Sequence, residues 1–241
     1  VWCLFMSSCR YSNRIVNSLD EVDRVDRSVR STIAPLFSRR MGIVNALMER
    51  GELRNYGLWM FQALSCHSSL LFGNQKDVSS GGLGIAEDAS TALLACFAES
   101  IERYCMSFVN TGKLRVAAWK DLPVHERLDD YCLYSRNQYR SQSRFVTPRS
   151  GTQHWVRLSS FTHPTRHIYW PASLVYIPFG QGPSVAECTS TGVAAHKSRL
   201  KAVLSGLLEA IERDALMLTF LNRLPAPEVD LHSIPIDDPV M

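Results

Sequence analysis

Two short segments carry the most distinctive chemistry of the chain, because each presents two glutamates, an isoleucine and an arginine at the same spacing. The first is Ala98–Arg103 and the second is Leu208–Arg213. Glutamates three residues apart share one face of a helix, so the two carboxylates of a segment can hold one cation together. The pairs are Glu99 with Glu102 and Glu209 with Glu212.

A single copy of this motif has an ordinary explanation. A glutamate followed four residues later by an arginine is a common surface ion pair, which stabilises a helix by about 0.2–0.5 kcal/mol. Glu99 with Arg103 and Glu209 with Arg213 both fit that description. The repetition favours a site instead, because both copies follow a glycine-containing segment and both fall on a predicted helix.

Two facing helices would gather four carboxylates, and that density of negative charge is costly unless divalent cations neutralise it. Mg2+ prefers oxygen ligands and commonly links carboxylates to phosphate oxygens. The expected ligand is therefore a magnesium–polyphosphate complex. In such a complex Arg103 and Arg213 either orient the carboxylates or contact phosphate.

Composition limits the other classes of function. The chain has 241 residues, of which 46% are hydrophobic, and its net charge of +3 comes from scattered lysines and arginines. It has no basic tract and no run of eighteen apolar residues, so we expect a cytoplasmic protein without nucleic-acid or membrane partners. Seven cysteines without a Cys-x-x-Cys pair argue against a zinc knuckle or a redox dithiol.

Hydrophobic spacing sets out the elements before the first motif. Ser18 and Glu21 form a predicted capping box, and apolar residues follow it at helical spacing as far as Leu36. A short helix is predicted over Ile43–Glu49. The apolar run Leu58–Leu64 fits either a strand or a buried helix, and its period does not decide between them.

Glycine, proline and aromatic residues organise the middle of the chain. Ser79–Gly84 is a predicted flexible loop that leads into the first glutamate helix. Trp155–Leu158 and Ile168–Trp170 form a predicted hairpin around a proline-containing turn, and Leu174–Pro178 reads as a further strand.

A long helical pattern carries the second motif from Leu200 to Leu218 and ends before Pro225. The order of elements predicts an α+β fold with mixed sheets and flanking helices, in which two pseudo-repeated halves each contribute a Glu-x-x-Glu-Arg helix. We expect residues 1–241 to form a single domain. Because the last residues are rich in turns, that domain is expected to be incomplete at its C-terminus.

These motifs resemble the YcaO family, in particular the cyclodehydratases that make azoline rings in ribosomal peptides. The resemblance extends over nearly the whole sequence. It rests on the glycine segments, the two glutamate motifs and a strand between them. These segments are Gly82–Gly84, Ala98–Tyr104, Trp170–Pro178, Thr189–His196 and Glu209–Ala215.

The resemblance implies an ATP site without a Walker loop, in which glutamates from two helices bind Mg2+. The implied Mg2+ ligands are Glu99, Glu102, Glu209 and Glu212. The implied nucleotide contacts are Ser190, Lys197 and Arg213, with Arg103 as a phosphate contact or an orienting partner and Arg14 as an N-terminal basic contact. No catalytic residue is assigned.

The activity that the resemblance implies is ATP-dependent cyclodehydration of a ribosomal precursor peptide, as in bacteriocin maturation. In similar enzymes a Cys, Ser or Thr side chain attacks the preceding backbone carbonyl, and phosphorylation by ATP turns the amide oxygen into a leaving group. An E1-like, leader-binding partner protein and a homodimer are also implied. The alternatives are thioamide or amidine formation on a peptide, and a non-catalytic peptide-binding scaffold.

Three residues depart from the family pattern. Leu83 stands where many relatives have lysine, Lys197 where others have asparagine, and Lys201 where glutamate is frequent. A lysine in the first turn of a helix opposes the helix dipole, so helix stability does not explain Lys201. These lysines favour the scaffold alternative.

Other reactive side chains have simpler explanations. Cys96 and Cys105 lie on the first glutamate helix and are predicted to be packing residues. His163 and His167 flank Pro164, which favours a surface turn over a metal site. His196 either contacts a ligand or caps the following helix.

Overall fold

The structure is a computed structural model that describes residues 12–66, 80–126, 133–141, 144–161, 163, 165–225, 227–228 and 230. None of the helices in these ranges is long and apolar enough to cross a membrane. The chain contacts divide it into two compact units, and the first contains residues 12–66, 80–104 and 191–230 of the described chain. Residues 105–190 belong to the second unit. The expectation of a single domain stays a prediction.

Seven strands and four α-helices form the described secondary structure, joined by short 3-10 helices. The strands are β1 Arg14–Val16, β2 Val44–Arg50, β3 Trp59–Ser65, β4 Gly81–Ala86, β5 Arg115–Ala118, β6 Thr152–Ser159 and β7 His167–Pro171. The helices are α1 Arg27–Ile33, α2 Ala89–Ser107, α3 Arg136–Ser141 and α4 Arg199–Leu221. The predicted α+β class is confirmed.

The first unit is built on an antiparallel sheet with the order β1-β2-β3-β4. Its residues alternate between a buried and a solvent-facing side, as the period of a strand requires. On β3 the buried positions are Trp59, Phe61, Ala63 and Ser65. The apolar run that fits either a strand or a helix is therefore a strand.

The core of the first unit lies between the buried side of this sheet and α2. Leu93, Cys96 and Phe97 are completely buried on α2, and Phe61 is equally buried on β3. Burying a large apolar side chain stabilises a fold by about 1.5–3 kcal/mol. This packing fixes the rotation of α2 about its axis, and therefore the direction of the glutamates on it.

The predicted flexible loop over Ser79–Gly84 is wrong from Gly81 onward, where the chain forms β4. The glycines serve close packing here. A Cβ on Gly82 would lie 2.0 Å from the carbonyl oxygen of Cys96, and a Cβ on Gly84 would lie 1.9 Å from that of Ala92. Only glycine lets the strand approach the helix backbone this closely.

Two further predictions are wrong in the N-terminal part. The predicted helix over Ile43–Glu49 is strand β2, because pairing with β1 and β3 outweighs the local helical pattern. Ser18 caps a 3-10 helix rather than the α-helix: its Oγ accepts a hydrogen bond from the Asp20 amide at 3.3 Å. The α-helix begins later, at Arg27.

The second unit contains the sheet β5-β6-β7, which is also antiparallel. The hairpin predicted from its aromatic residues is confirmed, with Val156 opposite Trp170. Trp155 is fully buried there, and its indole N–H donates to the carbonyl of Ala117 at 2.9 Å. The strand predicted over Leu174–Pro178 is wrong, because a 3-10 helix ending at Leu174 is followed by turns.

The close approach of β4 to α2 predicts that one methyl group added to a glycine of β4 destabilises the protein. Gly84→Ala places a Cβ against the Ala92 carbonyl, so the strand and the helix must separate. Overpacking of this kind costs about 1–3 kcal/mol. We expect urea denaturation of Gly84→Ala to show a loss of stability in that range.

Gly112→Ala is the matched control, because the Cβ there would meet just one described atom, the Asn110 Oδ1 at 3.4 Å. We expect this control to unfold within about 0.5 kcal/mol of the wild type. Equal stability of the two variants would contradict the close packing of β4 against α2.

Candidate functional site

The first glutamate motif lies on α2, whose buried side is fixed by the core. Glu99 is half-buried and is clamped from two directions. Its Oε1 accepts from the Arg103 guanidinium at 2.6 and 3.1 Å, and its Oε2 accepts from the backbone N–H of Leu83 on β4 at 2.7 Å. The ion pair within the helix is therefore only half of what holds this carboxylate.

The second motif repeats this arrangement on α4. Glu209 Oε1 accepts from the Arg213 guanidinium at 2.8 and 2.9 Å, while its Oε2 accepts from the backbone N–H of Gly192 at 3.1 Å. The two glutamate side chains have the same exposed fraction, 31%. We call each such arrangement a clamp: a glutamate held by the arginine of its own helix and by the amide of a preceding glycine segment.

Glycine also brings the second segment close to its helix. A Cβ on Gly206 would lie 2.3 Å from the carbonyl oxygen of Gly192. The spacing in the sequence is the same in both copies. Gly192 lies as far before Gly206 as Gly82 lies before Cys96. Glu209 then follows Gly206 at the same distance in sequence as Glu99 follows Cys96. The duplication therefore extends from the sequence motif to the backbone contacts that hold each carboxylate.

Glu102 lies on the same side of α2 as Glu99, in surroundings that disfavour its ionised form. Its pKa is raised to about 7, mainly because burial removes the carboxylate from water. The charges of Glu99 and Glu209 raise the pKa further, while Arg103 and the backbone of Ala195 lower it. Glu209 of the second motif therefore lies close enough to act on Glu102 of the first.

The remaining predicted site residues lie outside the two clamps. Glu212 is exposed on α4, and Lys201 is exposed in the first turn of that helix. Arg14 lies on β1, where it binds the Glu49 carboxylate at 2.7 Å and the Glu21 carbonyl at 2.9 Å. Ser190 belongs to the second unit. The roles assigned to these residues stay predictions.

An apolar cavity of about 570 Å³ in the first unit is lined in part by residues of the first glutamate motif. Ala98 and Ile101 of α2 form one wall, and Ala195, whose backbone acts on Glu102, lines it as well. Lys197 is exposed and contributes to the lining. The size and the apolar walls suit a flat organic group with few polar atoms.

Sequence reasoning located the glutamates and arginines but missed the backbone donors. The amide of Leu83 and the amide of Gly192 complete the two clamps. A backbone amide leaves no signature in the residue types, and the glycines around it predict a flexible loop rather than a close contact. The pKa of Glu102 was missed for a similar reason, since burial and distant neighbours raise it.

The structure also describes the surroundings of Cys96, Cys105 and His196, the other reactive side chains near the glutamate helices. Cys96 is completely buried, as predicted, and burial raises its pKa to about 12. Cys105 is exposed, so its prediction as a packing residue is wrong. His196 Nδ1 accepts from the Ser198 amide at 2.8 Å, directly before α4, and His196 also lines the apolar cavity, so its two predicted roles, cap and ligand contact, stay predictions.

Comparison with known proteins finds a matching family model for most of the chain. Residues 83–240 match the family model described as "YcaO cyclodehydratase, ATP-ad Mg2+-binding". The matched range includes both glutamate motifs. Comparison with curated protein sequences gives no match. The cofactors expected from the sequence, ATP and Mg2+, are those named in the family description.

Solved structures share the fold. One, titled "Heterocyclase in complex with substrate and Cofactor", is 24% identical with a TM-score of 0.65, over 92% of this chain and 32% of its own. A YcaO protein from Methanopyrus kandleri, bound with AMPPCP and Mg2+, is 20% identical with a TM-score of 0.50, over 74% of this chain and 41% of its own. The chain thus spans well under half the length of either.

The raised pKa of Glu102 predicts how stability depends on pH. The folded protein keeps a proton on this carboxyl up to about pH 7, whereas an exposed glutamate in the unfolded chain loses it near pH 4.5. The folded state binds more protons between these values, so the contribution of Glu102 to stability falls as the pH rises through them. Glu102→Gln in the metal-free protein should remove that fall.

Urea denaturation of wild type and variant at pH 5 and pH 8 measures this effect. The stability gained by Glu102→Gln should be larger at pH 8 than at pH 5. Asp121→Asn replaces an exposed carboxylate and serves as the control, with no pH-dependent gain expected. A gain that is equal at both pH values would show that Glu102 ionises normally.

Proposed function

The chain belongs to the YcaO family, and we propose that it is part of an ATP-dependent enzyme that converts Cys, Ser or Thr residues of a precursor peptide to azolines. The duplicated clamp is the observation that carries this proposal. It orients two glutamates from different helices by the same pair of contacts. Surface ion pairs need no backbone donor, so the repeated backbone contact favours a binding site.

The charges at the site fit a magnesium ion. Burial and the charges of Glu99 and Glu209 raise the pKa of Glu102, and a divalent cation would relieve that repulsion. Among the described residues, no three carboxylate, histidine or cysteine side chains are already grouped to hold a metal ion. Mg2+ usually keeps several waters and takes one or two carboxylates plus substrate phosphates, so a preformed protein cage is not required.

We propose that Glu99, Glu102, Glu209 and Glu212 hold Mg2+ and that Arg103 and Arg213 neutralise phosphate. The apolar cavity lined by Ala98, Ile101 and Ala195 would then receive the base of ATP, since Ala98 and Ile101 are chain neighbours of Glu99 and Glu102. Lys197 at the cavity, Ser190 and Arg14 are proposed as further nucleotide contacts.

The protein in this proposal acts mainly by positioning. An amide oxygen is a poor leaving group, and ATP with Mg2+ supplies the phosphoryl transfer that makes it a good one. The clamped Glu99 and Glu209 need no reorganisation when the nucleotide arrives, which lowers the cost of binding. The substrate peptide and an E1-like partner, together with a homodimer, complete the proposed assembly.

A second candidate is a non-catalytic peptide-binding scaffold that keeps the fold. The exposed Lys197 and Lys201 favour it, because they place two cations where relatives carry asparagine and glutamate. Lys201 lies on the same helix as Glu209 and adds no carboxylate to the site. Nucleotide binding separates the two candidates, since the scaffold predicts none.

Nucleotide titration tests the site directly. Full-length wild-type protein should bind ATP in a Mg2+-dependent manner, and Glu102→Gln or Glu209→Gln should weaken that binding by about tenfold or more, as expected for losing a charged ligand group. Asp121→Asn should bind ATP as the wild type does. Calorimetry with and without Mg2+ gives the comparison.

Activity is tested with the full-length protein, Mg2+-ATP, its partner and a leader-bearing peptide. The product should lose one water for each ring formed, as measured by mass spectrometry. Dependence of the product on added sulfide would indicate thioamide formation instead. If the wild type shows no Mg2+-dependent ATP binding and Glu102→Gln has no effect, the enzyme proposal is wrong and the scaffold candidate is favoured.

The affinity for Mg2+-ATP should depend on pH. A carboxylate binds Mg2+ in its ionised form, and Glu102 carries a proton below about pH 7. Binding of the cation must release that proton, so affinity should rise from pH 6 to pH 8 and then level off. Glu102→Gln should flatten this dependence, and an unchanged slope in that variant would assign the proton to another group.

A further inference from the structure

A cleft of about 630 Å³ in the first unit concentrates four arginines. It lies between the segment Asn17–Asp20, one side of α1, and residues 37–40. The arginines are Arg27, Arg30, Arg39 and Arg40, whereas Asp20 is the single carboxylate among the lining residues. The net charge of the chain is only +3, so this is a strong local concentration of positive charge.

Two of these arginines are held in place by neutral groups. Arg30 donates to the carbonyl oxygens of Leu19 and Val22, the latter at 3.0 Å, and Arg39 donates to the Asn17 Oδ1 at 2.7 Å. Arg30 also lies 3.3 Å from the Asp20 carboxylate, which is 87% exposed. Bonds to carbonyl oxygens fix a guanidinium without cancelling its charge, so the cleft stays positive.

The other two arginines are exposed, and within the described chain the guanidinium groups of Arg27 and Arg40 have no hydrogen bond or ion pair. Arg27 is the first residue of α1, whose first turn contains no acidic residue. A cation there opposes the helix dipole, so the helix gains nothing from it. Helix stability therefore does not explain the position of Arg27.

Arg40 is presented by a rigid turn. Ser38 Oγ accepts from the amides of Arg40 and Met41 at 3.3 and 3.2 Å, and the Gly42 amide donates to the Ser38 carbonyl at 3.0 Å. A Cβ on Gly42 would lie 2.2 Å from the Ser38 nitrogen, so the turn is tightly closed. A fixed turn holds Arg39 and Arg40 toward the cleft at little entropic cost.

The walls of the cleft are not uniformly polar. Phe37, Leu19 and Ala34 contribute apolar surface, and Met41 next to Arg40 is 91% exposed. Phe37 packs edge-on against Phe97 at 6.3 Å, so its ring belongs to the core rather than to a stacking platform for bases. Apolar walls between guanidinium groups suit a polypeptide that alternates apolar and acidic side chains.

We propose that this cleft binds an acidic peptide segment, with Arg27 and Arg40 pairing its carboxylates and the apolar walls receiving the side chains between them. Planar guanidinium groups bind carboxylates through paired hydrogen bonds, and the volume exceeds what a single small anion needs. The cleft does not include any of the four glutamates, so the proposal does not depend on nucleotide binding.

Fluorescence anisotropy with a labelled peptide of alternating glutamate and leucine tests the cleft, using the full-length protein. The same peptide with glutamine in place of glutamate is the ligand control. We expect the acidic peptide to bind with an affinity that falls as salt is added, and the glutamine peptide to bind at least about tenfold more weakly.

The variant Arg27→Gln/Arg40→Gln should weaken binding of the acidic peptide by about tenfold or more. Arg136→Gln/Arg140→Gln is the matched control, because these exposed arginines do not line the cleft, and it should bind like the wild type. All four substituted arginines are exposed, so melting temperatures should be unchanged. Glu102→Gln should also bind the peptide normally, which separates this test from that of the proposed function.

Three results would overturn the proposal. The first is equal binding of the glutamate and glutamine peptides by the wild type. The second is unchanged affinity in Arg27→Gln/Arg40→Gln. The third is complete displacement of the peptide by inorganic phosphate at equal concentration, which would assign the cleft to a small phosphate anion instead.

Discussion

The close approach of a glycine backbone to a helix is the constraint on which the site depends. Gly82 and Gly84 let β4 lie against α2, and Gly192 lies equally close to Gly206 of α4. That proximity is what brings a backbone amide within hydrogen-bond distance of Glu99 or Glu209. A side chain at Gly82, Gly84 or Gly206 would push the glycine segment away from the helix and leave the carboxylate with the arginine of its own helix.

The clamps have a consequence for the remaining carboxylate. An arginine and an amide hold the charge of Glu99 close to Glu102, and burial, followed by that charge, raises the pKa of Glu102 to about 7. Arg103 offsets part of this repulsion, but its guanidinium is already bound to Glu99. A cation bound beside Glu102 would offset this repulsion when the carboxyl ionises.

The two helices that carry the glutamates could be predicted from the sequence, whereas several short elements could not. Both glutamate helices follow from a 3.6-residue period sustained over many residues, so α2 and α4 were predicted correctly. The helix predicted at Ile43–Glu49 and the loop predicted at Ser79–Gly84 were wrong because strand pairing decides short segments, and pairing partners lie far apart in sequence. The Leu83 donor to Glu99 depends on such a pairing, and the Gly192 donor to Glu209 depends on the fold of a turn, so neither could be predicted.

The two glutamates of the first motif therefore have different roles. Glu99 is held before any ligand arrives, while Glu102 is held by the Ala195 backbone and stays partly protonated near neutral pH. In a rigid cage of ionised carboxylates, the repulsion between the charges destabilises the protein at all times. A carboxyl that ionises only on binding avoids this repulsion until a cation is present to offset it. This division explains how the described residues can lack a preformed metal group and still suit a cation that arrives with phosphate oxygens of its own.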